Sequence, residues 1–371
     1  MTQPKLGVRG VLVERAGRHI LSVEELDVFP GEVLAVVGPN GAGKSTLIHV
    51  FALLEPPSAG EVLFDGRPVR GGLLSYRRRM AVVFQEPLLL DATVESNVGS
   101  GLALRGVPRA ERAHRVRRWL ERFGIEALAS RSARTLSGGE AQRTSLARAL
   151  ALEPEVLLMD EPFAALDEPT RQALIDDLDR ALGETGTTVV FVSHDRAEAL
   201  RLGDRVAVII GGRIRQVGPP SQVFAAPADE EVAAFLGVET IVPGRVRAIE
   251  EGLAVVEVSG CRVEAVSALD TPRDGEVLVC LRPEDVVLSP AQDHLSATSA
   301  RNRLDSVVRR VVRVGAQARV EVDAGFPLVA LITKQSLEEL SLDVGSRVVA
   351  SFKATAVHLI PRPARPRSPS G

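Results

Sequence analysis

The sequence predicts an α/β domain with a parallel sheet covered on both faces, followed by an all-β C-terminal half. Three observations predict it. Short, continuously apolar runs at Val33–Val37, Val82–Phe84, Val156–Met159, Val189–Val192 and Val206–Ile210 alternate with helical patterns over residues 1–237, as strands buried on both faces do. A glycine-rich stretch, Gly38-Pro39-Asn40-Gly41-Ala42-Gly43-Lys44-Ser45-Thr46, lies between the first of these strands and a helix predicted over Ser45–Leu54. From Thr240 the apolar period switches to two, in short runs separated by glycine turns, the pattern of small β-barrels.

Composition narrows the function classes. A chain of 371 residues is long enough for two to three domains, each with its own core. Aromatics are only 4%, which excludes a surface built mainly from stacking rings. Lys plus Arg is 45 against 48 Asp plus Glu, so no basic excess points to nucleic acid and no nucleic-acid partner is expected. The two cysteines, Cys261 and Cys280, exclude a disulfide framework and read as reduced core thiols of a cytosolic protein. No run reaches the ~18 apolar residues of a membrane span, and Met-Thr-Gln-Pro-Lys-Leu-Gly lacks a signal-peptide core. Any work at a membrane is therefore expected from the cytoplasmic side, through a partner.

Between Val94 and Leu136 the pattern turns helical, clearest at Arg109–Phe123, so a helical subdomain is expected over about 90–150. Arg112, Arg115, Arg118 and Arg122 are interleaved with Glu111 and Glu121 and read as a solvated helix face. Gly211-Gly212 and Gly218-Pro219-Pro220 precede a last helix ending near Leu236, which closes the first domain at 237. Beyond it, Val246–Ile249, Ala254–Val258, Cys261–Val266 and Val277–Leu281 are expected strands of a first β segment, 238–290. Leu304–Val314, Ala318–Val322, Leu328–Thr333 and Val348–Phe352 form a second, 298–360, after the polar linker Pro290–Ala300. The tail 361–371 holds four prolines and three arginines and reads as disordered.

The glycine-rich stretch matches G-x-x-x-x-G-K-[ST] in the strand–loop–helix context the motif requires. Its glycines let backbone N–H groups converge on phosphates at a helix N-terminus. Lys44 then reaches the β- and γ-phosphates, and Ser45 ligates Mg²⁺. Val156–Met159 ends in Asp160 and Glu161, at the carboxyl edge of a buried strand where nucleotides bind. Asp160 is the expected Mg²⁺-side carboxylate and Glu161 the general base for the attacking water. Ser137, Gly138 and Gly139 open another predicted helix. They read either as a plain N-cap or as a second phosphate-binding loop, which makes sense if it serves the nucleotide of another subunit.

Leu136-Ser137-Gly138-Gly139-Glu140 resembles the signature of ATP-binding cassette (ABC) transporter ATPases. Gln85 in Val83-Phe84-Gln85-Glu86-Pro87 resembles that family's Q-loop, Ala165-Leu166-Asp167 its D-loop, and Val192-Ser193-His194-Asp195 its switch-histidine loop. With the glycine-rich loop and the acidic strand end, six motifs occur in family order between residues 38 and 195. The resemblance implies an α/β P-loop NTPase fold, ATP and Mg²⁺ as cofactors, and Gln85 and His194 as catalytic or metal-sensing groups. Asp167 joins the nucleotide-binding set. A homodimer is implied, docked on transmembrane permease subunits at the cytoplasmic face of the inner membrane. There is one departure: Glu14-Arg15-Ala16-Gly17-Arg18-His19 has no aromatic where the family stacks one on adenine, and only the planar guanidinium of Arg15 stands in that stretch.

In the C-terminal half, Leu281-Arg282-Pro283-Glu284-Asp285 resembles an element of the small OB-like barrel that follows many importer ATPases. Thr298–Asn302, Ala330–Thr333 and Phe352–Val357 together resemble a molybdate-binding Mop (TOBE-type) domain. The resemblance implies that Ser299, Arg301 and Lys353 bind a tetrahedral oxyanion; a basic turn with no ligand is the alternative. Arg78–Gln85 also resembles molybdate and tungstate importers. The implied function is ATP-driven uptake of molybdate or tungstate, an external oxyanion-binding protein being an indirect partner and the oxyanion a regulatory ligand. An importer for sulfate, iron, polyamine or sugar remains an alternative. So do a non-transport ABC ATPase and an oxyanion store or sensor.

Overall fold

A computed structural model of the chain describes residues 3–267, 273–291 and 298–362. The chain divides between Val223 and Phe224 into two units.

The first unit opens with strands β1 (Leu6–Arg15), β2 (Arg18–Val28) and β3 (Val33–Val37), then helix α1 (Lys44–Phe51). There follow β4 (Ala59–Phe64), β5 (Arg67–Pro68), α2 (Leu73–Arg77) and β6 (Met80–Val83). Three helices come next: α3 (Val94–Leu104), α4 (Arg109–Arg122) and α5 (Gly138–Leu150). The chain returns through β7 (Val156–Asp160), α6 (Glu168–Thr185), β8 (Thr188–Ser193), α7 (Arg196–Leu202), β9 (Arg205–Ile210) and β10 (Arg213–Gly218).

Two sheets result. One has the order β10-β9-β3-β8-β7-β6 and is parallel apart from the β9–β10 edge pair. Every residue of β7 and β8 is buried, which is why they read as unbroken apolar runs. The other sheet, β2-β1-β4-β5, is antiparallel and was not expected. Its signal was period-two burial, Val11 with Val13 and Leu21 with Val23, interrupted by the positive-φ residues Gly10, Ala16 and Gly17. The expected strand 82–84 is Met80–Val83, and the helix expected from Ser45 to Leu54 stops at Phe51.

Helix α1 buries Leu47, Ile48, Val50 and Phe51 in one cluster with Leu6, Val8 and Leu21 of the antiparallel sheet and Val36, Leu158 and Val190 of the parallel one. Each such side chain contributes ~1.5–3 kcal/mol by burial. The helix carrying the phosphate loop is thus fixed from two sides. Parallel strands deliver their carboxyl ends to one edge, so the loops after β3, β6, β7 and β8 gather there. In the helical insertion Trp119 of α4 and Phe123, which caps its C-terminus, stack at 6.1 Å between centroids and are buried, as are Val98, Leu102, Leu146 and Leu150.

The second unit starts with α8 (Pro220–Ala225), whose end crosses the division, and α9 (Glu230–Phe235). It continues with β11 (Thr240–Glu250), β12 (Leu253–Val258), β13 (Cys261–Val266), β14 (Glu276–Leu281) and β15 (Val287–Pro290). Then come β16 (Asn302–Val314), β17 (Gln317–Asp323), β18 (Pro327–Thr333), α10 (Lys334–Glu339), β19 (Arg347–Phe352) and β20 (His358–Pro361). Two antiparallel five-stranded sheets, β13-β12-β11-β14-β20 and β15-β19-β16-β17-β18, enclose one apolar cluster.

Strands are exchanged between the stretches expected as two consecutive β segments, 238–290 and 298–360. β15, from the first segment, pairs with β19, and β20, from the second, pairs with β14. The expected domain end at 237 also falls inside this unit. Arg282 donates to the carbonyls of Phe224 at 2.7 Å and Leu236 at 3.0 Å, which binds that stretch to the end of β14. Beyond Arg362 the tail expected to be disordered lies outside the described residues.

Candidate active site

Backbone geometry explains the glycines of the loop. Gly43, immediately before α1, has φ 95°, and a Cβ there would lie 2.8 Å from the Ile20 carbonyl oxygen. A Cβ on Gly38 would lie 2.1 Å from the Ile209 carbonyl oxygen, so the loop leaves β3 against the backbone of β9. Both positions exclude a side chain and bring bare backbone to the sheet edge. The first N–H groups of α1 have no partner within their own helix. Gly38, Pro39, Asn40, Gly41, Ala42 and Gly43 precede them, and bare backbone before a helix N-terminus is geometry suited to an anion.

Lys44 is 5% exposed and its Nζ donates to the carbonyls of Gly38 at 2.9 Å and Pro39 at 3.2 Å. The same ammonium lies 3.5 Å from Glu161 Oε1. The other carboxylate oxygen of Glu161 meets His194 Nδ1 at 3.0 Å. Ser45 Oγ donates to Asp160 Oδ1 at 3.0 Å. Burial pushes the Asp160 carboxyl above its usual range, opposed by the Ser45 hydrogen bond. Lys44, Ser45, Asp160, Glu161 and His194, drawn from three separate loops, therefore meet at one place. Glu161 adopts φ 44°, a strained left-handed turn for a non-glycine residue, just where the chain leaves β7. Thr46 is buried in the first turn of α1.

Gln85 is exposed two residues beyond β6, and among the described residues it forms no hydrogen bond to Ser45 or Asp160. The loop carrying it is held from α5, where Arg148 donates to the carbonyls of Pro87 at 2.7 Å and Leu88 at 2.9 Å. Burial lowers the Arg148 pKa. Arg15 is engaged by Glu55, with its Nε donating at 3.0 Å.

Ser137, Gly138 and Gly139 stand elsewhere. Ser137 caps α5 in a reciprocal box: its Oγ accepts from the Glu140 N–H at 3.3 Å, and Glu140 accepts from the Ser137 N–H at 2.7 Å. They line a cleft of ≈ 670 Å³ with Ala165, Leu166, Asp167 and Thr170, to which the Gly38–Thr46 loop does not contribute. That volume is ample for a phosphate group with its sugar. Asp167 is the N-cap of α6 but makes no side-chain capping bond, so its carboxylate faces out.

Three residues near these loops were given no role in the sequence reading: Ser193, Glu198 and Arg171. Ser193 Oγ donates to Glu198 Oε2 at 2.6 Å, and Glu198 is 4% exposed, with burial raising its pKa. The available signal was an acid on the apolar face of a short helix behind the His194 loop.

In the second unit, the β16–β19 register pairs Asn302 with Phe352, which sets Arg301 and Lys353 next to each other just past the ladder. The Arg301 guanidinium is taken by Glu264, which also pairs with Arg262 at 3.1 Å. The Asn302 amide clamps the backbone of that same Glu264, accepting from its N–H at 2.7 Å and donating to its carbonyl at 2.8 Å. Lys353 lines a cleft with Asp285, Thr298 and Ser351. Ser299 is exposed, and among the described residues it bonds neither Arg301 nor Lys353.

A phosphate cradle at a helix N-terminus, its lysine, and an acidic strand end beside it define the class: a P-loop ATPase. Comparison with known proteins makes this specific. Residues 21–164 match the ABC transporter family and residues 298–359 the TOBE domain. The chain is 41% identical to the molybdate/tungstate import ATP-binding protein WtpC of Pyrococcus horikoshii, over 90% of this chain and 94% of that protein. It is 40% identical to the sulfate/thiosulfate import ATP-binding protein CysA of Caulobacter vibrioides, over 77% and 83%. Among solved structures it resembles the ATP-binding cassette MJ0796, described as a dimeric post-hydrolysis state bound to ADP and Pi. That match has TM-score 0.53 and 29% identity, over 58% of this chain and 98% of that one. The chain belongs to the ABC transporter family, as an ATP-hydrolysing subunit with a C-terminal TOBE domain. Among the described residues no helix is long and apolar enough to cross a membrane.

Proposed function

We propose that the protein is the ATPase subunit of an importer for molybdate or tungstate, held at the cytoplasmic face of the inner membrane by permease subunits. An external oxyanion-binding protein delivers cargo to those subunits and touches this chain only indirectly. The carrying observation is the convergence of Lys44, Glu161 and His194, together with a cleft at Ser137–Asp167 that lacks its own phosphate loop. Two copies related by a twofold axis complete each other: each nucleotide lies between one chain's Gly38–Thr46 loop and the other's Ser137–Gly139.

In hydrolysis Glu161 takes a proton from a water, whose oxygen forms a bond to the γ-phosphorus. The bond from that phosphorus to the β–γ bridging oxygen breaks, and ADP carries the oxygen away. Lys44 offsets the charge on the β- and γ-phosphates. His194 holds the Glu161 carboxylate from the side opposite Lys44. The Ser45 hydroxyl and the desolvated Asp160 carboxylate form a hard-oxygen pair that fits a divalent cation. Ser45, Asp160 and, after movement of its loop, Gln85 would hold Mg²⁺, which supplies neutralisation of phosphate charge.

Ser299, Arg301 and Lys353 are the proposed oxyanion site of the C-terminal unit. A hydroxyl, a guanidinium fork and an ammonium suit a tetrahedral dianion. The similarity to WtpC over most of the chain favours molybdate or tungstate; the similarity to CysA keeps sulfate as the second reading. Calorimetric titration of the whole protein with molybdate, tungstate, sulfate and phosphate tests the pair. Binding of molybdate or tungstate alone supports the first reading, sulfate alone the second, and no heat with any anion removes the site.

A further inference from the structure

One side chain joins two loops of the first unit that the reading above leaves separate. Arg171 lies in the first turns of α6, where its N–H bonds to the Asp167 carbonyl at 2.9 Å. Its guanidinium folds back over the helix start. One terminal nitrogen donates to the Leu166 carbonyl at 3.3 Å and the other to Asp195 Oδ2 at 2.9 Å. Leu166 lines the Ser137–Asp167 cleft. Asp195 is the residue after His194.

Asp195 is not a loose surface carboxylate. Its Oδ1 accepts from the Ala197 N–H at 2.8 Å and caps α7. Its own N–H donates to Ser193 Oγ at 2.8 Å, and that hydroxyl donates on to the buried Glu198 at 2.6 Å. Both neighbours of His194 are thereby fixed, and His194 is left to reach Glu161 at 3.0 Å. A displacement of the 165–167 loop acts on Arg171 at the Leu166 carbonyl and, through the guanidinium, on Asp195. One peptide further it reaches the imidazole. Among the described residues the Arg171 Nε is buried without a hydrogen-bond partner, so the guanidinium is held through its two terminal nitrogens, one of which also lies 3.5 Å from Glu168 Oε2.

We propose that Arg171 is a positioning residue that couples occupancy of the Ser137–Asp167 cleft to the placement of His194 against Glu161. The proposal rests on the hydrolytic reading of those two residues. A nucleotide in the cleft shifts the 165–167 loop only if it binds one loop position better than another. Arg171 then converts that preference into a poised or withdrawn His194. Misplacement of a catalytic group by ~1 Å is enough to cost on the order of 10²-fold in rate.

The test uses the full-length protein, with ATP dependence of turnover, nucleotide binding and thermal unfolding measured on each variant. Arg171→Ala is expected to lower kcat roughly 10- to 100-fold while KM stays within about threefold. Wild-type turnover is expected to be sigmoidal in ATP, as for two coupled half-sites, and that of Arg171→Ala hyperbolic. Arg171→Lys should recover part of kcat, since an ammonium still reaches Asp195. Asp195→Asn keeps the cap of α7 and removes the ion pair, so it should reproduce the Arg171→Ala loss. The double variant should be no slower than the slower single one. Losses that multiply in the double variant overturn the proposal, as does a KM that rises in step with the fall of kcat. If Arg171→Ala does not fold, Arg171→Lys and Asp195→Asn decide by the same criteria. Normal kcat in the Arg171 variants, with Glu161→Gln inactive, overturns the coupling alone. Normal turnover in Glu161→Gln overturns the hydrolytic reading beneath it.

Discussion

His194 Nδ1 stands 3.0 Å from Oε2 of Glu161, and the two residues leave the ends of the adjacent parallel strands β8 and β7. Glu161 is only 16% exposed and its other oxygen is 3.5 Å from the Lys44 ammonium, so the carboxylate is held between a ring nitrogen and a cation. That arrangement fixes the carboxylate proposed as the base before any water arrives.

Replacing Glu161 with Gln keeps the shape and removes the proton acceptor. Turnover should fall by on the order of 10²–10⁴ while ATP affinity is retained. Single-turnover hydrolysis with equilibrium binding checks this, and near-wild-type hydrolysis rejects the assignment. Lys44→Ala should behave differently and lose nucleotide affinity, because its charge meets phosphate before the reaction as well as during it.

Dimerisation is the second expectation. The Ser137–Asp167 cleft has no phosphate loop of its own among its lining residues. Sedimentation of Glu161→Gln should show a heavier species with MgATP than with MgADP. Identical profiles with the two nucleotides count against a shared nucleotide.

The site was legible in the sequence because its residues fall at the ends of strands that read as unbroken apolar runs. Val156–Asp160 is buried throughout, so Asp160 closes the strand and Glu161, which follows it, had to emerge at the sheet edge. The antiparallel sheet was not legible. β1 and β2 alternate, and the bulge between Val13 and Glu14 breaks their pattern. Nor was the exchange of β15 and β20 legible, since a four-residue strand carries no information about its partner. Arg171, Ser193 and Glu198 were missed for a related reason. Each is a single polar residue whose role appears only in its partner: Arg171 meets Asp195 from 24 residues away, and Ser193 meets Glu198 once the chain turns into α7.

Acid titration is the third prediction. Lys5 and Arg79 converge on Glu155 and Asp65 beside the Phe64 ring. Hydrogen bonding from Arg79 lowers the Glu155 pKa from 4.5 to about 2. A carboxyl depressed in the folded state stabilises above its unfolded pKa, and that stabilisation is lost as pH falls through the folded value. The thermal midpoint of the wild type should therefore drop between pH 4.5 and 2. Glu155→Gln should start lower and drop less over the same window. Parallel curves for the two proteins reject the cluster as a source of acid sensitivity.

Regulation by oxyanion is the last prediction, and Glu264 decides its form. In the proposed oxyanion site Arg301 and Lys353 would supply two positive charges, enough for a dianion, but the Arg301 guanidinium is already paired with Glu264. An arriving dianion must take that guanidinium from a carboxylate whose backbone is clamped by Asn302. Glu264→Gln should therefore tighten molybdate or tungstate binding, and Arg301→Ala should abolish it. Binding alone shifts nothing unless the occupied C-terminal unit disfavours the closed ATP dimer. With a coupling of ~1–3 kcal/mol, ATP turnover at saturating oxyanion should fall roughly 5- to 150-fold. Arg301→Ala should keep basal hydrolysis and lose this response, while Glu264→Gln should respond at lower oxyanion concentration. Inhibition that persists in Arg301→Ala rejects the site, and weaker binding in Glu264→Gln rejects the competition between carboxylate and oxyanion for one guanidinium.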